Sequence, residues 1–173
     1  MTLPISPTVF ADGELITAAS LYTRVWAAVN TLYSSATRRI QQTTFNTDLV
    51  SSGGTEVVGY SQAVALVSGG RYRVHFKGYM NGGTASNIGG VRVRFDTGTV
   101  TNTSTLAGST GTINHASSGG AGRGTCAFFA EFVAPSTATY NIAVGVLTFS
   151  GTGNETILST SIVAEVTVDY VGT

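Results

Sequence analysis

Chemically reactive side chains are scarce in this chain. It holds one cysteine, two histidines and three prolines, and charged residues make up only 10% of its 173 positions, against about 25% in an ordinary globular protein. A single thiol, Cys126, excludes an intrachain disulfide. It stands in the apolar run Cys126-Ala127-Phe128-Phe129 with no cationic neighbour, so it reads as a buried small hydrophobe rather than a reactive group. No stretch approaches the roughly 18 apolar residues of a membrane-spanning helix, so membrane insertion is not expected. The opening Met1-Thr2-Leu3-Pro4-Ile5-Ser6-Pro7 lacks the cationic and apolar segments of a signal peptide. Nine basic and nine acidic residues cancel to a net charge of zero. Nothing global therefore draws the chain to nucleic acid or to an anionic membrane.

The same shortages bear on catalysis. A zinc site needs three or four closely spaced His, Cys or carboxylate ligands, and His75 and His115 have no such companions. A Ser-His-Asp or Cys-His triad would have to assemble from distant segments around one of these two histidines. No Gly-x-Ser-x-Gly elbow is present. The run Gly119-Gly120-Ala121-Gly122-Arg123-Gly124 resembles a phosphate loop but lacks the Lys-Ser/Thr that follows in one, and no helix opens after it. The carboxylates Asp96, Glu131, Glu155, Glu165 and Asp169 are spread over different segments, at outward positions or strand ends, and read as solvated or paired surface acids. The expectation is a protein that is not an enzyme, with no catalytic residues, no cofactor and no metal.

What the chain does have is 42% hydrophobic content, abundant Ser and Thr and 22 glycines, the profile of strands joined by flexible loops. Residues 1–13, with Pro4 and Pro7 and the turn signal Asp12-Gly13, read as an extended arm. One helix is expected at 18–36, capped by Thr17. Its stripe is Leu21, Val25, Ala28 and Leu32, flanked by Trp26 and Val29. That stripe would pack on the helix's own domain or dock onto other chains.

After Arg38-Arg39 the pattern turns to period two. Strands are expected near 41–47, 56–67, 71–79, 91–96, 99–105, 126–133, 139–149 and 156–171, with 107–124 a long Gly- and Ser-rich loop. The glycine-rich segment between 79 and 91 suggests that the strands on either side form a hairpin. The expected inner face collects Tyr72, Val74, Phe76, Val91, Val93, Phe95, Phe128, Phe132, Tyr140, Ile142, Val144, Val146, Val166, Val168 and Tyr170. The fold class is mainly β: an antiparallel β-sandwich, jelly-roll-like, preceded by the arm and the one α-helix. We divide the chain into an arm and anchoring helix, 1–38, and a β-domain, 39–173.

One charge pattern rises above background. Arg71, Arg73, Lys77, Arg92 and Arg94 fall on the outward positions of the two strands expected to be neighbours. They would pair with Glu131, Glu165 and Asp169 across strands, or form a docking face for an acidic partner subunit or an anionic glycan. Nucleic acid fits less well, because no aromatic side chain interleaves with these arginines. Leu147 and Phe149 look outward from a strand already apolar inside, which suggests a subunit interface.

The segment Phe10-Ala11-Asp12-Gly13-Glu14-Leu15-Ile16-Thr17-Ala18-Ala19-Ser20-Leu21, followed by Trp26 and Val29-Asn30, resembles an opening found in tailed-bacteriophage virion structural proteins. These are minor tail, tail-fibre-like and head decoration proteins, with an aromatic, a small turn and Gly-Glu-x-Ile/Leu-Thr-Ala-Ala-x-Leu before a short helix. Tyr22 stands where an Asn is common in that pattern. The resemblance implies that the arm and helix, through Phe10, Leu21, Val25, Trp26, Val29 and Leu32, attach the chain to the virion. A β-domain, often trimeric, would then be displayed outward. Its partners would be copies of itself, other virion proteins and a host-surface glycan or receptor; its location would be the virion, after synthesis in the host cytoplasm. A carbohydrate- or receptor-binding β-sandwich module is the alternative reading.

Overall fold

A computed structural model describes residues 38–51, 53–82, 88–114, 123–150, 153–160 and 162–172. The expected arm and helix, with Phe10, Leu21, Val25, Trp26, Val29 and Leu32, lie outside the described residues, as does His115.

The described chain forms ten strands: β1 (Arg38–Phe45), β2 (Leu49–Val50), β3 (Val57–Leu66), β4 (Arg71–Gly82), β5 (Ile88–Asp96), β6 (Thr105–Asn114), β7 (Arg123–Val133), β8 (Ala138–Ser150), β9 (Glu155–Ile157) and β10 (Ala164–Gly172). Alternation explains most of them. In β4, Tyr72, Val74, Phe76, Gly78 and Met80 are buried while the residues that alternate with them are not. Gly78 belongs to the same inward row, and a Cβ there would stand 2.6 Å from the Phe76 ring tip. The glycine lets the ring lie flat along its own strand.

All pairings are antiparallel. β4 pairs with β7 on one side. On the other it pairs with β10 over Arg71–Lys77 and with β9 over Met80–Gly82. β1 borders β10 and β2 borders β9. The larger sheet therefore has four strand positions, with β1/β2 and β9/β10 each an interrupted strand. The smaller sheet runs β3-β8-β5-β6.

The two sheets pack face to face as a β-sandwich. Val74, Phe76, Val166 and Val168 from the larger sheet and Val93, Ile142, Val144 and Val146 from the smaller are essentially inaccessible. Across the gap Phe95 of β5 stacks on Phe132 of β7 with centroids 4.2 Å apart. Every position expected on the inner face is buried or, for Phe128, Phe132 and Tyr170, partly buried and packed against the core.

Four expectations are corrected. The strands around residues 71–79 and 91–96 are not a hairpin, since β4 and β5 lie in different sheets. Alternation tells which face of a strand points inward but not which sheet the strand joins. The segment 99–105 is mostly turn. The expected 107–124 loop holds the rest of β6 and the start of β7. β6 was hidden because Gly108, at φ 63°, sits in a bulge and the strand has almost no large side chains. The expected strand 156–171 is broken into β9 and β10.

That break is stitched to the one between β1 and β2. Asp48 Oδ1 accepts from the Thr160 backbone N–H (2.8 Å) and from its hydroxyl (2.9 Å). Tyr60, inward in β3, donates its hydroxyl to the Thr47 carbonyl at 2.7 Å, meets Ser159 Oγ, and stacks on Phe45 at 4.7 Å. Its φ of 51° is left-handed, a costly conformation for a tyrosine, and coincides with the β3 bulge between Gly59 and Gln62.

Gln62 stands on the inward row of β3, 6% exposed, with neither amide atom hydrogen-bonded. Burial of an unpaired amide is unfavourable. Gln62→Met keeps the length and removes the polar atoms, so it should raise stability by about 1 kcal/mol. An upward shift of the urea midpoint at unchanged slope would show this; a downward shift would mean that the amide is satisfied.

Candidate functional site

The five cations expected on one face are divided between two. Arg71, Arg73 and Lys77 project from β4 on the outer side of the larger sheet, Arg92 and Arg94 from β5 on the outer side of the smaller. The two groups point away from each other.

On the smaller sheet the arginines are consumed internally. Arg94 clasps Glu56 with two hydrogen bonds of 2.7 Å and donates a third to the Ser104 carbonyl at 2.6 Å. Arg92 donates to Glu56 Oε2 at 3.0 Å and to Thr110 Oγ1 at 2.9 Å. The side chains of Glu56 and Arg94 are only 4% and 10% exposed. The bond to Glu56 holds the Arg94 guanidinium above its already high pKa. This cluster lies over β8, where register sets Arg94 beside Ala143 and Arg92 beside Gly145. A Cβ on Gly145 would stand 2.2 Å from Glu56 Oε1. Leu147, expected to look outward to a partner, is buried, whereas Phe149 is 58% exposed. Glu56 opens the strand expected at 56–67, but its partners Arg92 and Arg94 lie on β5, and alternation does not bring those segments together; the signal the sequence offers is a glycine inside the apolar run Ile142–Leu147.

The turn 97–104 is tied to this cluster. Asp96 accepts from the Gly98 backbone N–H at 3.1 Å and from Ser104 Oγ at 3.0 Å, which hold its carboxyl below the usual range.

The larger sheet presents an open grid. Register aligns three rows across β7, β4, β10 and β1: Glu131-Arg73-Asp169-Arg39, then Phe129-His75-Thr167-Gln42, then Ala127-Lys77-Glu165-Thr44. Glu131 accepts from Arg73 Nε at 2.7 Å and from Arg71 at 3.1 Å. These arginines, Arg73 foremost, hold its carboxyl below the usual range. Asp169 lies 3.4 Å from His75 Nε2 and 3.7 Å from Arg39 Nε. Glu165 accepts from Gln42 at 2.9 Å and from Thr167 at 3.3 Å. The expected cross-strand pairing thus holds for Arg71 and Arg73. Lys77 makes no ion pair among the described residues.

Within this grid is a shallow depression of about 500 Å³, lined among others by Ala127, Lys77, His75, Glu165, Asp169 and Phe129. Phe129 is 60% exposed. Its ring centroid is 5.5 Å from the Arg73 guanidinium carbon and 6.1 Å from the His75 ring centroid. The expected inner face holds Phe128 and so turns Phe129 outward; what alternation does not give is its neighbours, since only register sets it beside His75.

Cys126 is buried, and burial pushes its thiol up to about 11. Glu155 is fully buried rather than solvated, packed close to Gly89. Among the described residues no group of three His, Cys, Asp or Glu side chains is placed to hold a metal ion.

Two outcomes test these assignments. Glu56→Ala leaves Arg94 buried and uncompensated and should cost about 3 kcal/mol in denaturant unfolding. Gly145→Ala, which forces Glu56 off the sheet, should cost about 2 kcal/mol. Values near zero for both would show that the cluster does not brace the sheet. Separately, Glu131, Asp96 and Asp48 all have carboxyls held below their ordinary pKa, the last by the Thr160 backbone N–H. Their stabilisation is present above the unfolded-state pKa near about 4 and is lost as pH falls through the lower native values. Urea midpoints measured on acidification should fall in that window, and less steeply for Glu131→Gln.

No family model and no curated protein matches the sequence. Among solved structures, one described as "CBM4 structure and function" is 11% identical, with 82% of this chain and 83% of that chain covered and a TM-score of 0.39. The VP2 subviral particle of infectious bursal disease virus is 10% identical over 81% of this chain and 39% of that chain, with a TM-score of 0.37. The enzymatically active domain of tailspike protein 4 from bacteriophage CBA120 is 11% identical over 75% of this chain and 19% of that chain, with a TM-score of 0.29. At these scores the likenesses carry no weight in assigning a function.

Proposed function

We propose that this chain is a non-enzymatic structural protein of a tailed-phage virion: a jelly-roll domain displayed as an oligomer and attached through its N-terminal arm and helix. The observation that carries the reading is the strand order. With β1/β2 and β9/β10 each counted as one interrupted strand, the eight strand positions run first-eighth-third-sixth in one sheet and second-seventh-fourth-fifth in the other. That is the double-sheet arrangement of a jelly roll, an architecture used in viral capsid and lectin domains.

Supporting it, Arg39, Arg71, Arg73, Arg92 and Arg94 are each engaged by acids of the same chain. Their charge ties strands together instead of serving chemistry. Exposed Phe149, Ile162 and Val163 add apolar surface suited to subunit contacts. The resemblance of residues 10–30 supplies the virion setting.

Light scattering on the full chain should return a trimer, and mass spectrometry of purified virions of the phage that encodes it should find the protein in the particle. A strictly monomeric species at high concentration, together with absence from virions, would overturn the proposal.

A further inference from the structure

Beyond the display role, we propose that the depression on the outer face of the larger sheet is a binding site for a uronic-acid oligosaccharide, with Phe129 as its stacking platform and Lys77 as the partner of the sugar carboxylate.

Four features lead there. First, Phe129 is a large aromatic held outward, 60% exposed, and the one phenylalanine in the lining that is exposed rather than packed against the core. Arg73 and His75 flank the ring and fix its orientation. An oriented, exposed ring in a polar surround suits the C–H face of a pyranose, whose partial positive charge meets the negative face of the π system.

Second, the groups around it are short-range hydrogen-bonding partners for sugar hydroxyls. His75 shares the ring's row, and the carboxylates of Asp169 and Glu165 stand in the rows on either side, while Thr167 is buried in that row with its hydroxyl given to Glu165. A concave site with a few convergent polar groups beside an apolar surface has the make-up of a small-molecule site.

Third, the charges of the face do not cancel. Arg39, Arg71, Arg73 and Lys77 face Glu131, Glu165 and Asp169, so one positive charge is left over. Glu131 serves both Arg71 and Arg73 and Asp169 serves Arg39, whereas Lys77, opposite Glu165 in register, makes no ion pair among the described residues. Lys77 is also the chain's one lysine. A neutral sugar would leave this ammonium unanswered, whereas a carboxylate on the ring would meet it.

Fourth, Ala127 lies opposite Lys77, two residues along β7 from Phe129, or about 7 Å. Its small side chain leaves room between Lys77 and Phe129 at the edge of the depression. One ring on Phe129 and the next over Ala127 would place a carboxylate beside Lys77.

Calorimetric titration of the full chain with trigalacturonic acid, its methyl ester and sialyllactose tests this. The acid should bind, and the ester, with the same rings and no charge, should bind about tenfold more weakly, the loss expected when one charge-assisted contact goes. Phe129→Ala should abolish binding of both. Lys77→Gln should bring the acid down to the level of the ester and leave the ester unchanged. Both side chains are exposed, and unchanged melting temperatures will confirm folding. Ala127→Leu, which fills that room while keeping ring and amine, should also block binding. Equal binding of acid and ester, binding that survives Phe129→Ala, preference for sialyllactose, or no saccharide binding would each overturn the assignment.

Discussion

The burial of one apolar face from each sheet is the constraint on which the rest of this structure depends. One cysteine excludes an intrachain disulfide and no metal cluster is present among the described residues, so the sheets rest on this burial together with their hydrogen bonds and ion pairs. Each strand therefore commits its even or odd positions to the gap between the sheets, and what is left for the outside follows. Val74 and Phe76 facing inward oblige Arg73, His75 and Lys77 to face outward. Ile142, Val144 and Val146 oblige Ala143, Gly145 and Leu147 to form the opposite side of β8. The grid of the larger sheet and the covered surface of the smaller are consequences of one core.

Those two outer surfaces were solved differently. On the smaller sheet, small residues on β8 let Glu56 and Arg94 lie down against the backbone, and their mutual hydrogen bonds offset the loss of water. On the larger sheet, the longer side chains of β4, β10 and β1 keep the ion pairs upright and wet, where each adds little to stability. The first surface is sealed and the second is open. A ligand arriving at the second displaces water rather than a protein contact. That asymmetry leaves the outer face of the larger sheet as the side of the sandwich with exposed polar and aromatic groups.

Much of the core was legible from sequence, because burial in a strand has period two and the inward residues here are large. All fifteen positions expected inside are buried or packed against the core. Partnering was less legible. The five basic residues were assigned to the right strands and the right faces of them, yet they divide between two sheets, since alternation along β4 and β5 contains no information about which strand lies next to which. β6 escaped because its signal is carried by Gly, Ser and Thr, which neither alternate in polarity nor fill a core. The site suffered from the same ambiguity. Alternation sets Phe128 inside and Phe129 outside, but only the pairing of β7 with β4 brings Phe129 beside His75 and Lys77.

The interruptions in the strands show how far local choices serve this architecture. A continuous β9–β10 would run straight past β4, but the chain leaves the sheet at Leu158 and returns at Ala164. The matching gap in β1–β2 places Asp48 against Thr160, and the left-handed Tyr60 reaches both gaps with one hydroxyl. Local strain at Tyr60 is tolerable because its ring is stacked on Phe45 and its hydroxyl bonded at the same time. The three contacts lock the two halves of the larger sheet into one plane. That plane carries His75, Lys77 and Phe129 in register with Thr167 and Glu165, so the geometry of the open face depends on a junction well removed from it in sequence.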